Sequence, residues 1–373
     1  MNYYLIAGEA SGDLHGSNLM RGLRQADSAA QFRFWGGDLM AAQGDGNLVK
    51  HYKDTAVMGF LEVLSKLRTV LRNIRFCKKD ILAHRPDVLI LIDYPGFNLR
   101  MAKFAKQHGI KVFYYIAPKV WAWKEKRVHR LKKYVDKLFI IFPFEVDYFK
   151  RWNIDACYAG NPLVDSIGER LAQKETFHTF IERNKLPDKP VVAVLPGSRM
   201  MEINYVLPRI LFLAKQFPDY RFVVAGAPSI DEAQYKKYLH NDLFSIVYNQ
   251  TCELLAQATA AIVASGTATL EAALIGVPQV VCYGGNEISY QVAKRLVRTK
   301  YISLVNLIMD APVVTELIQH DMNEKNLQSE LSAILPGGAK RPTVLAQYDQ
   351  LRAMMGERGA SQRVAKLMCN VTN

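Results

Sequence analysis

The stretch that most restricts this chain is VLILID (88–93), whose first five residues are branched aliphatics with no polar alternation. Such a run offers no face to water, so it suits a strand of a parallel sheet covered on both sides by helices. Similar runs recur through the first half as YYLIAG (3–8), FRFWGG (32–37), KVFYYI (111–116) and KLFIIF (137–142), separated by longer amphipathic stretches that read as crossover helices. A charged segment, 166–189, ends in LPDKP and interrupts the series. The series restarts with PVVAVLPG (190–197), YRFVVAG (220–226), FSIVY (244–248), AAIVASG (260–266) and QVVCYGG (279–285). A chain of 373 residues is long enough for two cores. The predicted fold class is α/β, with two Rossmann-like doubly wound domains facing a cleft. The expected boundaries are 1–165 and 166–340, with the C-terminal helices of 341–373 packing back on the N-terminal domain or on a partner subunit. Ligands of such sheets bind outside the carboxyl ends of the strands.

A formal charge of +13 favours anionic partners: nucleic acid, an anionic membrane or phosphorylated substrates. The five scattered cysteines form no C-x-x-C pair and point to a reducing cytoplasm. MNYYLIAGEASGD lacks a basic, apolar leader pattern, and no uncharged run approaches the ~18 residues needed to span a bilayer, so any membrane contact is expected to be peripheral. Without D-x-D or H-E-x-x-H, no metal and no cofactor are expected.

Several strand ends run into turns suited to ligands. GEASGD (8–13) opens a helix with small residues and carries Glu9 and Asp13, carboxylates that can bind sugar hydroxyls or cap a helix. LPGSR (195–199) places Ser198 and Arg199 at a second helix start, where N–H groups and a guanidinium can receive phosphate oxygens. ASGTATLE (264–271) repeats the pattern with Ser265, Gly266 and Thr267, and Glu271 one turn on suits the paired hydroxyls of a ribose. Asp93 ends VLILID before YPGFN, as a catalytic base or a helix cap, and Asn98 and Asn306 are weaker candidates of the same kind. In 59–82, Leu64, Leu67, Val70, Leu71 and Ile74 fall at helical spacing among Arg68, Arg72, Arg75 and Lys78. That pattern fits a crossover helix, or a helix lying at a membrane interface. The VWAWKEKR segment (120–127) sets Trp121 and Trp123 beside Lys124 and Arg127, and two tryptophans two residues apart cannot share one helical face.

Taken together, GEASGD, AVMGFLEVL (56–64), LIDYPGFN (91–98), VWAWKEKRV, LPGSR, ASGTATLE and SLVNL (303–307) resemble the lipid A disaccharide synthase family over nearly the whole chain. The resemblance implies an inverting glycosyltransferase of the GT-B type. Its donor would be UDP-2,3-diacylglucosamine, its acceptor 2,3-diacylglucosamine 1-phosphate, and its setting the cytoplasmic face of the inner membrane of a Gram-negative cell. Asp93 matches the family's proposed general base, with Glu9 beside it as a second catalytic candidate and Ser11 in the same acceptor-side loop. Arg199 matches the phosphate-binding arginine, Gly197, Ser198, Ser265, Gly266 and Thr267 the UDP loops, and Glu271 the ribose carboxylate. Asn306 falls in the active-site SLxNL segment. Leu64, Leu67, Leu71, Arg72, Trp121, Trp123, Lys124 and Arg127 become candidates for the acceptor and membrane side. Lys119 departs from the small or amide residue expected before VWAW. The resemblance also leaves a homodimer with exchanged C-terminal segments open. Two other readings compete: a UDP-sugar enzyme with a soluble substrate, such as a 2-epimerase, and an RNA-binding protein, for which no nucleic-acid motif is present.

Overall fold

The computed structural model describes residues 1–54, 67–173, 175–239, 243–287, 290–291 and 299–372. The chain divides into two compact units, Met1–Asp165 with Glu357–Asn373, and Ser166–Gly356. Seven strands build the first unit: β1 (Asn2–Ala7), β2 (Gln31–Gly36), β3 (Leu48–His51), β4 (Val88–Ile92), β5 (Lys111–Tyr115), β6 (Lys137–Ile140) and β7 (Ala156–Tyr158). They lie in the order β3-β2-β1-β4-β5-β6-β7, all parallel. The second unit holds β8 (Val191–Leu195), β9 (Arg221–Gly226), β10 (Phe244–Tyr248), β11 (Ala258–Ala264), β12 (Gln279–Tyr283) and β13 (Thr315–Ile318), parallel in the order β10-β9-β8-β11-β12-β13. In both sheets the strand order reverses beside the first strand, at β1/β4 and at β8/β11, which is where a doubly wound sheet opens a crevice for ligand.

The lack of alternation in these strands follows from their burial. Along β4, Leu89 and Leu91 enter one core while Val88, Ile90 and Ile92 enter the other, because successive side chains point to opposite faces. One face is covered by Ile74, Cys77 and Ile81 of the helix Leu67–His84, and the other by Leu19, Met20 and Leu23 of Ala10–Ala26. The edge strands β3, β7 and β13 escaped the sequence reading. They are three or four residues long and mostly half-buried, so LVKH, ACY and TELI carry no apolar run.

The expected single C-terminal piece, 341–373, is divided after Gly356. The helix Arg341–Met355 stays with the second unit: it buries Val344, Tyr348, Leu351 and Met355, and Gln279 Nε2 donates to the Tyr348 hydroxyl at 3.1 Å. The helix Ala360–Thr372 completes the first unit's core with Val364 and Met368, each contributing about 1.5–3 kcal/mol by burial. Asp165 fastens its start by accepting from the backbone N–H groups of Gly359, Ala360 and Ser361.

Candidate active site

In the first unit, the carboxyl ends of β1, β4, β5 and β6 lead in turn to Glu9, Asp93, Lys119 and Glu145. Asp93 and Tyr94 both adopt left-handed backbone, with φ of 44° and 45°. Non-glycine residues seldom hold that conformation, and here it is fixed by neighbours. The Asp93 carbonyl accepts from the Tyr114 hydroxyl at 2.5 Å and from Asn98 Nδ2 at 2.9 Å, while its N–H donates to the Tyr115 carbonyl at 3.1 Å. Asn98 Nδ2 also lies within 3.3 Å of the Ile6 and Ile92 carbonyls, so this buried amide ties β1 to β4 beneath the site. The N-cap position of the following helix, Pro95–Gln107, is Tyr94, whose side chain makes no capping bond.

The Asp93 carboxyl is pushed up to about 6, chiefly by burial and then by the negative charge of Glu9, against the opposing pull of Lys119. Glu9 is exposed at the N-cap of Ala10–Ala26 and makes no side-chain capping bond, and Ser11 is exposed in the first turn. Gly8 is required here, since a Cβ would meet the Tyr94 ring at 2.4 Å. Asp13 has a structural role: its buried carboxylate accepts from the N–H groups of Gly37, Leu39 and Met40 at 2.7–3.1 Å, holding the turn after β2.

Trp121 and Trp123 occupy a turn that precedes the helical residues 125–134, and they part there. Trp121 packs on the core, edge-on to Phe142 and Phe144, and its Nε1 donates to Glu145 Oε1 at 2.9 Å. Glu145, which the sequence reading missed, is fully buried; burial lifts it to about 7 although Trp121 and the N–H groups of Phe142 and Ile141 stabilise its charge. Trp123 is 50% exposed, with Lys124 Nζ 4.2 Å and Arg127 Cζ 5.5 Å from its ring centroid, a cation–π stack open to solvent.

Leu71 and Arg72 are exposed on a different helix, Leu67–His84, whose sheet-facing residues are Ile74, Cys77 and Ile81. Arg72 lines a groove of about 470 Å³ with Lys50, His51 and Phe76, away from the Trp123 stack in sequence and on another element. Leu67 opens that helix, and Leu64 lies outside the described residues.

The turns expected to receive phosphate lie in the second unit. After β8, Gly197 holds φ of 114°, and a Cβ there would strike the Glu202 side chain at 2.3 Å. The Glu202 carboxylate accepts from the N–H groups of Ser198 at 2.9 Å and Arg199 at 3.3 Å, so this helix start is already capped from within. The Arg199 guanidinium is 79% exposed, its nearest carboxylate being Glu202 at 4.0 Å. After β11 the situation differs. Ser265 Oγ donates to the Ile302 carbonyl, but the N–H groups of Gly266 and Thr267, at the start of the helix Thr267–Ile275, meet no acceptor among the described residues. Glu271, one turn on, is half-buried, and burial raises its carboxyl above the usual range.

Asn306, expected on the donor side, is buried with both amide hydrogens committed to the Val314 carbonyl and to Glu316 Oε1, each at 2.9 Å. Glu316 also accepts from the N–H groups of Ile302 and Ser303 and from Ser303 Oγ, so this pair fixes the loop on which Ser265 rests. The capping role of Glu202 was readable in its spacing of three from Arg199, whereas nothing in the sequence around Glu145 or Glu316 marks the one as buried or the other as the anchor of a loop.

A family described as Lipid-A-disaccharide synthetase matches residues 3–367. The chain belongs to the lipid-A-disaccharide synthase family. A lipid-A-disaccharide synthase of Coxiella burnetii (strain Dugway 5J108-111) is 35% identical over 371 residues, 98% of this chain and 97% of the relative. One from Syntrophus aciditrophicus (strain SB) is 36% identical over 368 residues, covering 97% of this chain and 95% of that one. The lipid-A-disaccharide synthases are glycosyltransferases, and the fold agrees with that of solved structures of other enzymes. UDP-GlcNAc 2-epimerase from Neisseria meningitidis, bound to UDP-GlcNAc, superposes with a TM-score of 0.68 at 12% identity, over 99% of this chain and all of that one. The glycosyltransferase of kitacinnamycin gives 0.58 at 13% identity, over 100% of this chain and 99% of the other. At such identities the likeness shows the two-sheet fold alone.

Proposed function

We propose that this chain transfers 2,3-diacylglucosamine from its UDP derivative to the 6-hydroxyl of 2,3-diacylglucosamine 1-phosphate, with inversion at the anomeric carbon. Asp93 accepts the proton of the 6-hydroxyl as that oxygen bonds to the anomeric carbon and the bond to UDP breaks. The products are the β-1,6-linked tetraacyl disaccharide phosphate and UDP. The observation that carries this reading is the Asp93 carboxyl, held on left-handed backbone at the end of β4 and raised to about 6, close to the working range of a general base. Glu9 adjoins it in charge, and Lys119 opposes that charge.

The charge arriving on the leaving diphosphate would be met by the guanidinium of Arg199 and by the open N–H groups of Gly266 and Thr267, with no metal in the scheme. Gly197, Ser198 and Ser265 shape those turns, Glu271 receives the ribose hydroxyls, and Asn306 supports the loop without touching the donor.

Among the described residues no helix is long and apolar enough to cross a membrane. Peripheral binding at the cytoplasmic face of the inner membrane would rest on the exposed Leu71, Arg72, Trp123 and Lys124, with the half-buried Arg127 against the Trp123 ring, which pair apolar surface with positive charge. A homodimer is compatible with the exposed Leu367 and Val371 of the last helix.

Incubating the purified chain with both acylated sugars and weighing the product by mass spectrometry tests donor, acceptor and reaction together. A tetraacyl disaccharide phosphate, formed only when both are present, is the expected product. Turnover of UDP-GlcNAc alone, with no disaccharide from the acylated pair, would overturn the assignment in favour of a soluble-substrate enzyme.

A further inference from the structure

Cys252 is the second residue of the helix Thr251–Gln257, only 2% exposed, and its Sγ donates to Glu271 Oε1 at 2.8 Å. Among the described residues this thiol is the sole hydrogen-bond partner of the Glu271 carboxylate. The charge of Arg170 favours the ionised form of Glu271, but its hydrogen bond and its closest ion pair go to other groups. Arg170 lies 3.6 Å from Glu253 through Nε and donates to the Asn249 carbonyl through Nη2 at 2.9 Å. Burial and the adjacent Glu271 push the Cys252 thiol far above its usual range, so it stays protonated and remains a donor at every physiological pH.

A glutamate projecting from a helix can rotate through several staggered arrangements, and one that must accept two neighbouring hydroxyls gains from being held in one of them. We infer that Cys252 is a positioning residue for donor binding: its S–H fixes Oε1 of Glu271 so that the carboxylate faces the 2′,3′-diol of the donor's ribose. The inference rests on the reading of Glu271 as the ribose carboxylate. It assigns a function to a buried thiol that the reaction scheme does not otherwise use, and it makes the diol, not the uracil or the phosphates, the group that senses position 252.

The test is calorimetric titration of the full chain with UDP and with 2′-deoxy-UDP, for wild type, Cys252→Ser and Cys252→Ala, with thermal melting run alongside. Losing an orienting hydrogen bond to a charged group should weaken UDP binding about tenfold in Cys252→Ala. In Cys252→Ser the hydroxyl donor should restore affinity to within about threefold. The affinity for 2′-deoxy-UDP should change far less in either variant, since the paired contact is already lost. Wild type itself should prefer UDP, a result that needs no variant to fold. Equal UDP affinity in wild type and Cys252→Ala, with or without a lower melting temperature, overturns the inference and leaves the donor site intact. An equal loss for both nucleotides also overturns it. If wild type binds no UDP at all, the reading of Glu271 falls together with the inference.

Discussion

The two units place opposite chemistry at the same point of the same fold. At β1/β4 the strand ends present carboxylates, Glu9 and an Asp93 raised by burial; at β8/β11 they present an exposed guanidinium and, among the described residues, two N–H groups without an acceptor. The sheet order is shared, so the difference resides in a few turn residues. A doubly wound sheet therefore supplies an address, and the turn residues supply the charge that stands there. The anion side also contains a contrast of its own. The turn after β8 has its N–H groups capped by Glu202, with the Arg199 side chain exposed beside them, whereas in the turn after β11 the N–H groups of Gly266 and Thr267 meet no acceptor among the described residues.

The comparison can be broken most forcefully at Asp93. Asp93→Asn, chosen because asparagine tolerates left-handed backbone, should lower kcat by about 10²–10⁴-fold and leave UDP affinity unchanged. It should also stabilise the protein. With a native pKa of about 6, above the unfolded value, ionised Asp93 weakens the native state, so wild type loses stability as pH rises from about 4 through 6. The asparagine variant escapes that loss and should be more stable by roughly 1–3 kcal/mol at pH 8, with no advantage below about pH 4 in chemical denaturation.

On the other unit, Arg199→Ala should weaken UDP binding by about 10–100-fold while uridine binding is unchanged, as read by calorimetry. Equal losses for uridine and UDP would show that Arg199 does not read the diphosphate.

Asp13→Ala separates scaffold from chemistry within the first unit. Losing three N–H bonds to a buried carboxylate should cost about 2–3 kcal/mol in unfolding free energy and leave UDP affinity as it was. The finest effects are expected around Asp93 itself. Glu9→Gln should move the acid limb of the rate profile to lower pH by removing a like charge, and Lys119→Met should move it higher by removing the opposing one. Shifts in the same direction for both would contradict the charge pattern at this edge.

The central strands were readable because burial on both faces forces unbroken apolar runs, and VLILID became β4 almost to the residue. The edge strands β3, β7 and β13 were not, since half-buried segments of three or four residues need no such run. Within the candidate site, Asp93, Arg199 and the ASGT turn stood out because a polar or small residue interrupts an apolar pattern at a strand end. Partnership was invisible. Asp13 looked as free as Glu9, although three N–H groups from residues more than twenty positions away engage it. Asn306 reads as a ligand residue, and nothing in the sequence reveals the Val314 carbonyl and Glu316 carboxylate that hold its amide. The two tryptophans likewise differ only through what packs on them: Glu145 and two phenylalanines for Trp121, solvent and two cations for Trp123.

The division of chemistry between the two switch points is tested most directly by the pH dependence of kcat/KM for the acylated acceptor, in wild type and in Asp93→Asn. Wild type should rise with pH through a single acid limb near 6 and then level, and the residual activity of the variant should show no such limb. An unchanged limb in Asp93→Asn would place the base on another residue and contradict the account.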